Sequence, residues 1–242
     1  MKTRFVILTA LVVAAAAADL GTTRGAIDIS KADRPADAVI LVGAEGHSLV
    51  PEGPGPTRWA FADGVLTASP AWDSVLTKEG YQDFRMHVEF NVNEVKDAKD
   101  PEADGNSGIY IQQRYELQIL NSFGVPEADY KPSYCGSIYR QKMPDRLVSR
   151  KAGDWQSYDI VFRAARFDGE KKSENARITV YQNGELIHDD HAITGKTGAG
   201  EKEGPEPRPI KLQGHHNPVR FRNVWIRNLS PGAMPPTKPE PR

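Results

Sequence analysis

The sequence predicts an all-β fold, a two-sheet jelly-roll sandwich. Three observations carry this. Phe84-Arg85-Met86-His87-Val88-Glu89-Phe90 alternates apolar and polar without a break, the period of a strand with one buried face. Asn183-Gly184 sits between two alternating apolar runs, the strongest short-range hairpin signal. No segment keeps a helical apolar period over three turns, and no internal repeat is visible. Many short strands in one chain favour two packed sheets.

Taken in order, the chain opens with a basic start (Lys2, Arg4) and an apolar run from Phe5 to Ala18, ending Ala16-Ala17-Ala18 before Asp19. That pattern fits a signal peptide over residues 1–18. The run is short for a membrane span, which needs roughly 20 residues. The expectation is an exported protein, periplasmic or extracellular, with no membrane contact after cleavage. Residues 19–60 read as mixed and turn-rich, with Pro51-Glu52-Gly53-Pro54-Gly55-Pro56 as the clearest turn cluster. Phe61 to Leu66 reads as strand, turn and strand around Asp63-Gly64. After the 84–90 strand a polar loop runs from Asn91 to Asn106. Ile109–Gln112 and Tyr115–Leu120 form a hairpin around Gln113-Arg114. Trp155–Arg163 is the next strand, Ala176–Gln182 and Glu185–His188 form the Asn-Gly hairpin, and Val219–Arg227 closes the fold. Gly195–Pro209, rich in Gly, Pro and charge, reads as a flexible insertion, and residues 231–242 as a disordered Pro-rich tail. The expected domain spans residues 19–230.

Composition excludes several functions. The 242 residues carry 31 Lys+Arg against 32 Asp+Glu, for a formal net charge of -1. There is no global basic field, so no nucleic-acid partner is expected. The single cysteine, Cys135, forms no internal disulfide and excludes a Cys-based zinc site. Without an activating partner it reads as a packing residue.

Chemistry can sit on the polar strand faces. Arg85, His87 and Glu89 share one; Glu116 and Gln118 share another, opposite Leu117 and Ile119; Tyr110 and Gln112 oppose Ile109 and Ile111. If these strands are neighbours, one face collects carboxylates, a histidine, an arginine, amides and an aromatic ring. That mixture suits a sugar, whose hydroxyls take amides and carboxylates and whose apolar ring face takes an aromatic.

Several stretches carry a family resemblance. Asp104-Gly105-Asn106-Ser107-Gly108-Ile109-Tyr110-Ile111-Gln112 is followed by Arg114-Tyr115-Glu116-Leu117-Gln118-Ile119-Leu120-Asn121-Ser122-Phe123-Gly124. Gly136-Ser137-Ile138-Tyr139, Asp154 to Phe162 and Leu212 to Arg227 come next, in order. The chain resembles the 3-keto-disaccharide hydrolase domain family from about Trp59 to Leu229. The resemblance implies a concanavalin A-like lectin/glucanase jelly roll that cleaves glycosidic bonds of sugars oxidised at the 3-hydroxyl. One departure is visible: where the family pattern is Gln-Asp-His-Gly, this chain has Gln213-Gly214-His215-His216.

Retaining glucanases of similar fold carry Glu-x-Asp-x-x-Glu on one strand; here the stretch is Glu116-Leu117-Gln118-Ile119-Leu120-Asn121. Two of three acids are amides, which act neither as nucleophile nor as proton donor, so a two-carboxylate mechanism is not expected. Elimination needs one base and one acid. The resemblance and the missing acids together give the proton-transfer roles to Glu116 and His215. They make Asn106, Gln118, Arg220 and Arg222 donors to oxyanion and hydroxyls, Tyr110 and Trp155 stacking surfaces, and His87, Glu89 and Gln112 further sugar contacts. No cofactor is expected. Asp97, Asp100, Glu102 and Asp104 lack the ordered pattern of a calcium loop, and a divalent ion such as calcium is left open. His188-Asp189-Asp190-His191 reads as a solvated turn, not a metal cluster. The alternative function is a lectin-like carbohydrate-binding module without turnover.

Overall fold

The computed structural model describes residues 34–96, 98 and 100–230. The signal-like segment 1–18, Asp97 and the tail 231–242 lie outside the described residues. Sixteen strands follow in chain order: β1 (Val39–Gly43), β2 (Gly46–His47), β3 (Val50–Pro51), β4 (Ala60–Ala62), β5 (Val65–Thr67), β6 (Val75–Leu76), β7 (Phe84–Asn91) and β8 (Ser107–Ile111). Then come β9 (Tyr115–Ile119), β10 (Gln156–Arg163), β11 (Arg166–Asp168), β12 (Lys171–Glu174), β13 (Ala176–Gln182), β14 (Glu185–Ile193), β15 (Lys211–Leu212) and β16 (Arg220–Asn228). Two single-turn 3-10 helices, Pro101–Ala103 and Glu127–Asp129, are the only helices among the described residues.

The larger sheet orders β14-β13-β10-β7-β16-β1-β2, with β5 also beside β16 and β4 beside β5; the smaller orders β3-β6-β15-β8-β9. β11 and β12 pair by themselves. The fold is the expected all-β jelly-roll sandwich. The core lies between the sheets because alternate residues of each strand turn inward. Phe84, Met86, Val88 and Phe90 of β7, Tyr158, Ile160 and Phe162 of β10, and Tyr115, Leu117 and Ile119 of β9 are all buried in one cluster. Tyr115 meets Phe162 across the layers at 5.8 Å between ring centroids, and Tyr158 Oη donates to the Gln118 carbonyl at 2.7 Å. Each such side chain contributes about 1.5–3 kcal/mol through burial.

The hairpins follow their turn residues. Asn183 and Gly184 both have positive φ (54° and 84°), the mirror-image turn that matches strand twist. Asp63 and Gly64 do the same between β4 and β5. Gln112 and Gln113 take positive φ without being glycine (54° and 56°), a local strain held by tertiary contacts described below.

Three expectations need correction. The described part of residues 19–60 is not merely turn-rich, since β1 to β4 begin there; strands of two to five residues leave too little alternation to read. Residues 195–209 are packed against the β8–β9 turn: Thr197 N–H donates to the Arg114 carbonyl at 2.9 Å and Glu201 N–H to that of Gln113 at 2.8 Å. A Cβ on Gly200 would run into the Arg114 carbonyl. His188 to His191 lie inside β14; Asp190, with φ 44°, sits where the β13–β14 register shifts, and His188 is fully buried with Nε2 2.6 Å from the Gly136 carbonyl. Burial holds its pKa down at about 4.

Candidate active site

The outer face of the smaller sheet is built by three strands in register. On β8, Ser107, Ile109 and Ile111 turn away from this face, leaving Asn106, Gly108 and Tyr110 on it. On β9 the same pleat presents Glu116 and Gln118, with Tyr110 directly opposite Glu116. β15 adds Lys211 opposite Tyr110, and the next residue but one, Gln213, follows alongside Gly108 through a 2.9 Å backbone hydrogen bond.

Glu116 is the centre of this face. Tyr110 Oη donates to its Oε2 at 2.8 Å, and Lys211 Nζ lies 4.5 Å over the Tyr110 ring. A Cβ on Gly108 would sit 2.7 Å from Glu116 Oε1, so glycine there leaves room for the carboxyl. The outer edge of β9 is covered: Tyr139 N–H donates to the Glu116 carbonyl at 3.0 Å, and Glu116 N–H donates to Thr197 Oγ1 at 2.7 Å. Glu116 is therefore only 3% exposed. Burial pushes its pKa up to about 7, against the pull of the Tyr110 hydrogen bond and the Lys211 charge. A carboxyl that exchanges its proton near neutrality is matched to proton transfer.

Glu102 forms the rim. Tyr139 Oη donates to its Oε2 at 2.9 Å, Asn106 Nδ2 donates to its backbone carbonyl at 2.6 Å, and its charge is felt by both Glu116 and His215. Burial, with the Glu102 carboxylate next, raises the Tyr139 phenol to about 12. His215 is half-buried, leans on Trp72 at 4.4 Å between ring centroids, and has its pKa lowered chiefly by burial. No hydrogen bond joins His215 to Glu116. The loop carrying His215 is pinned: Gly214 N–H donates to Ser74 Oγ at 3.3 Å, and a Cβ on Gly214 would run into the Asp73 carbonyl.

The expected site residues divide. Glu116, Tyr110, Asn106 and Gln118 share the smaller sheet's outer face, with His215 at its margin. Gln118 is covered, its Nε2 donating to the Ser133 carbonyl at 3.1 Å. Gln112 is buried in the turn, where Nε2 donates to the Tyr81 carbonyl at 2.7 Å and Oε1 accepts from Arg114 at 3.1 Å. That anchoring, not a sugar, occupies its amide. His87, Glu89, Arg220, Arg222 and Trp155 are on the other exterior of the sandwich, because β7 and β16 belong to the larger sheet. The segment between β7 and β8 crosses from one sheet to the other, so the two polar faces diverge. Lys211, Glu102, Tyr139 and Gln213 join the Glu116 face in their place, and Trp72 packs on His215. Tyr139 and Gln213 stand inside the family-like stretches; Lys211, Glu102 and Trp72 carry no sequence pattern.

The displaced group forms its own network. His87, 6% exposed, has Nδ1 2.9 Å from Asp159 Oδ1 and Nε2 3.7 Å from Glu89 Oε1; Arg222 Nε donates to Glu89 Oε2 at 2.6 Å and its guanidinium lies 4.0 Å from the Trp155 ring centroid. Burial opposes the imidazolium, but Asp159 and Glu89 outweigh it and raise its pKa to about 9. His87 in turn, with Asn223 and Arg222 and against burial, holds Glu89 at about 2. A raised histidine pKa stabilises the fold fully below about pH 6.5, and this contribution is lost as pH climbs through 9. Thermal melts from pH 6 to 9.5 should show the protein losing on the order of 2 kcal/mol over that window. His87→Gln should flatten the decline.

Among the described residues, no three His, Cys, Asp or Glu side chains are grouped to hold a metal ion. Two of the acids weighed for calcium make local hydrogen bonds. Asp100 Oδ1 caps the first 3-10 helix by accepting from Glu102 N–H at 3.0 Å, and Asp104 accepts from Val95 N–H at 2.6 Å and Asn121 at 2.7 Å. No described helix is long and apolar enough to cross a membrane.

The buried Glu116 carboxyl, with the Tyr110 phenol and the Lys211 ammonium beside it, lies on a β-sandwich face, and the comparisons with known proteins make this a carbohydrate-active protein. A family model described as the 3-keto-alpha-glucoside-1,2-lyase-like domain matches residues 45–227, and the chain belongs to that family. Among solved structures, it is similar to a protein of Parabacteroides distasonis described as a candidate glycosyl hydrolase, with 34% identity and a TM-score of 0.71, covering 81% of this chain and 85% of that one. A second protein of the same organism, also described so, shares the fold at 24% identity and a TM-score of 0.54, covering 79% of this chain and 99% of that one. No curated protein matches the chain significantly.

Proposed function

We propose that the protein cleaves the glycosidic bond of 3-keto-glycosides, 3-keto-disaccharides among them, by elimination followed by hydration. A ketone at carbon 3 acidifies the hydrogen on carbon 2. A base removes that proton, an enolate forms, and the bond from carbon 1 to the glycosidic oxygen breaks as that oxygen takes a proton. Water then adds across the new double bond, for net hydrolysis. The reading rests on Glu116, a single buried carboxyl with its pKa near neutrality and no second acid on its strand. Glu116 and His215 are the proton-transfer groups, and Lys211 and Tyr110 are the donors nearest the carboxyl for the developing oxyanion. Export belongs to the same reading and is supported by the N-terminal sequence.

The test incubates the protein with a 3-keto-disaccharide and with its unoxidised parent, each with and without chelator. Turnover of the oxidised sugar alone is expected. Turnover of the unoxidised sugar alone overturns the proposal, and binding without turnover favours the lectin-like alternative. Loss of activity with chelator would show a metal requirement.

A further inference from the structure

His188 is a buried titratable side chain that the Glu116 face does not contain. It stands opposite Val180 in the β13–β14 register and turns with Val180 into the core between the sheets, where it is 0% exposed. Its Nε2 lies 2.6 Å from the Gly136 carbonyl. A carbonyl only accepts, so the imidazole carries its proton on Nε2, and Nδ1 is left buried with no hydrogen-bond partner. Burial keeps the ring neutral against the pull of the Gly136 carbonyl; Lys142 and His191 act with burial, and Asp145 against it. A leucine would fill this space without stranding a polar atom. What histidine adds is a donor for Gly136.

Gly136 is where that donor is needed. It is buried, its φ is 80°, and a Cβ there would come to 3.0 Å from Gln182 Oε1 and from Ile187 Cδ1, residues of β13 and β14. At Gly136 the chain touches the larger sheet, and from there it follows the outer edge of β9. Gly136 N–H donates to the Gln118 carbonyl, Gln118 N–H to the Ser137 carbonyl and Tyr139 N–H to the Glu116 carbonyl, at 3.0 Å each. Residues 136–139 are a strip paired with β9, and His188 ties its first residue to the opposite layer.

The last residue of the strip covers the carboxyl. Tyr139 Oη donates to Glu102 Oε2 at 2.9 Å, and a Cβ on Gly198 would sit 3.1 Å from the Tyr139 ring and 3.9 Å from Glu116 Oε2. Phenol ring, Gly198 and carboxyl meet at one point, and with them in place Glu116 is 3% exposed.

We propose that His188 is a positioning residue for the Glu116 site: its Nε2–H, donated across the sandwich to Gly136, fixes the 136–139 strip that keeps water from Glu116. The kinetic arm of the test rests on the 3-keto-glycoside reading, and the titration arm does not. In full-length protein, His188→Leu and the more pliable His188→Met remove the donor and keep apolar bulk, while His188→Gln keeps an N–H within reach of the carbonyl. Ile193→Val, at a buried residue of the same strand, is the control for a loosened core. The Glu116 carboxyl is followed by carbon-13 NMR in glutamate-labelled protein and assigned with Glu116→Gln. Its midpoint near pH 7 should fall by about half a pH unit or more in His188→Leu and His188→Met, as water reaches the carboxyl, and should hold in His188→Gln and Ile193→Val. At a temperature where every variant is folded, kcat/KM for a 3-keto-disaccharide should drop about tenfold without the donor and largely recover in His188→Gln. The pH–rate limb should move with the midpoint. A midpoint or a kcat/KM unchanged by loss of the donor overturns the proposal. So does an equal fall in Ile193→Val, or no recovery in His188→Gln. If the wild type turns over no 3-keto sugar, the 3-keto reading fails and the titration still decides the role of His188.

Discussion

Replacing Glu116 by glutamine should lower kcat on a 3-keto-disaccharide by about 10³-fold, within the usual range for a positioned proton-transfer group. The amide keeps the shape and still accepts from Tyr110, so the loss reports the missing proton. The wild-type pH–rate profile should have a limb near pH 7, where Glu116 titrates, and the variant's residual activity should lack it. A limb falling towards acid assigns Glu116 as the base; one falling towards alkali assigns it as the acid. Stability should move the other way. The folded carboxyl holds its proton more tightly than the unfolded one, so as pH rises from 4.5 to 7 the fold loses stability. Glutamine carries no charge to bury. At pH 8 the variant should melt at an equal or higher temperature, gaining on the order of 2 kcal/mol. An inactive and more stable variant separates chemistry from unfolding; an active one removes Glu116 from the mechanism.

Arg114→Ala should be the most damaging change away from the reacting groups. Arg114 is 1% exposed and its guanidinium latches three residues: Nε donates to the Lys202 carbonyl at 3.1 Å, Nη1 to Gln112 Oε1 and the Glu206 carbonyl at 3.1 Å each, and Nη2 to Glu206 Oε1 at 2.6 Å. Its removal strands Gln112 in a strained turn and loosens residues 202–206, next to the Thr197 hydroxyl that accepts from the Glu116 backbone. The expected cost is about 3 kcal/mol, a drop in Tm of roughly 6–12 °C for a domain of this size, with activity falling beyond the loss of folded protein. Thermal denaturation and turnover at a temperature where both proteins are folded check the two parts. Arg114→Lys should recover little, because an ammonium cannot span the same four acceptors.

The strand faces were legible to the extent that period-two alternation is local. Phe84 to Phe90 and Tyr115 to Ile119 turn their apolar residues inward as their spacing requires, and so do Tyr158, Ile160 and Phe162 of β10. The Asn183-Gly184 and Asp63-Gly64 turns were legible for the same reason: a short run of backbone dihedrals sets them. The Gln112-Gln113 turn was not. Glutamine has no preference for positive φ, and Arg114, Tyr81, Gln82 and the 197–206 segment hold it there.

The candidate site shows the same division. Tyr110 and Glu116 could be paired in advance because a tight hairpin brings them opposite each other. His87, Glu89 and Arg222 could not be separated from them in advance, since alternation says which side of its own strand a residue takes and nothing about which sheet the strand joins. The sequence by itself determined an all-β sandwich, its principal hairpins, the family and Glu116 as the acid to watch. Tertiary structure decided that β7 and β8 lie in opposite layers, sending one set of polar residues to a structural ion network and the other to a buried carboxyl. It also decided that Lys211 and Glu102 join that carboxyl and that Trp72 packs on His215. Those outcomes depend on contacts between residues far apart in the chain, and no local pattern encodes such contacts.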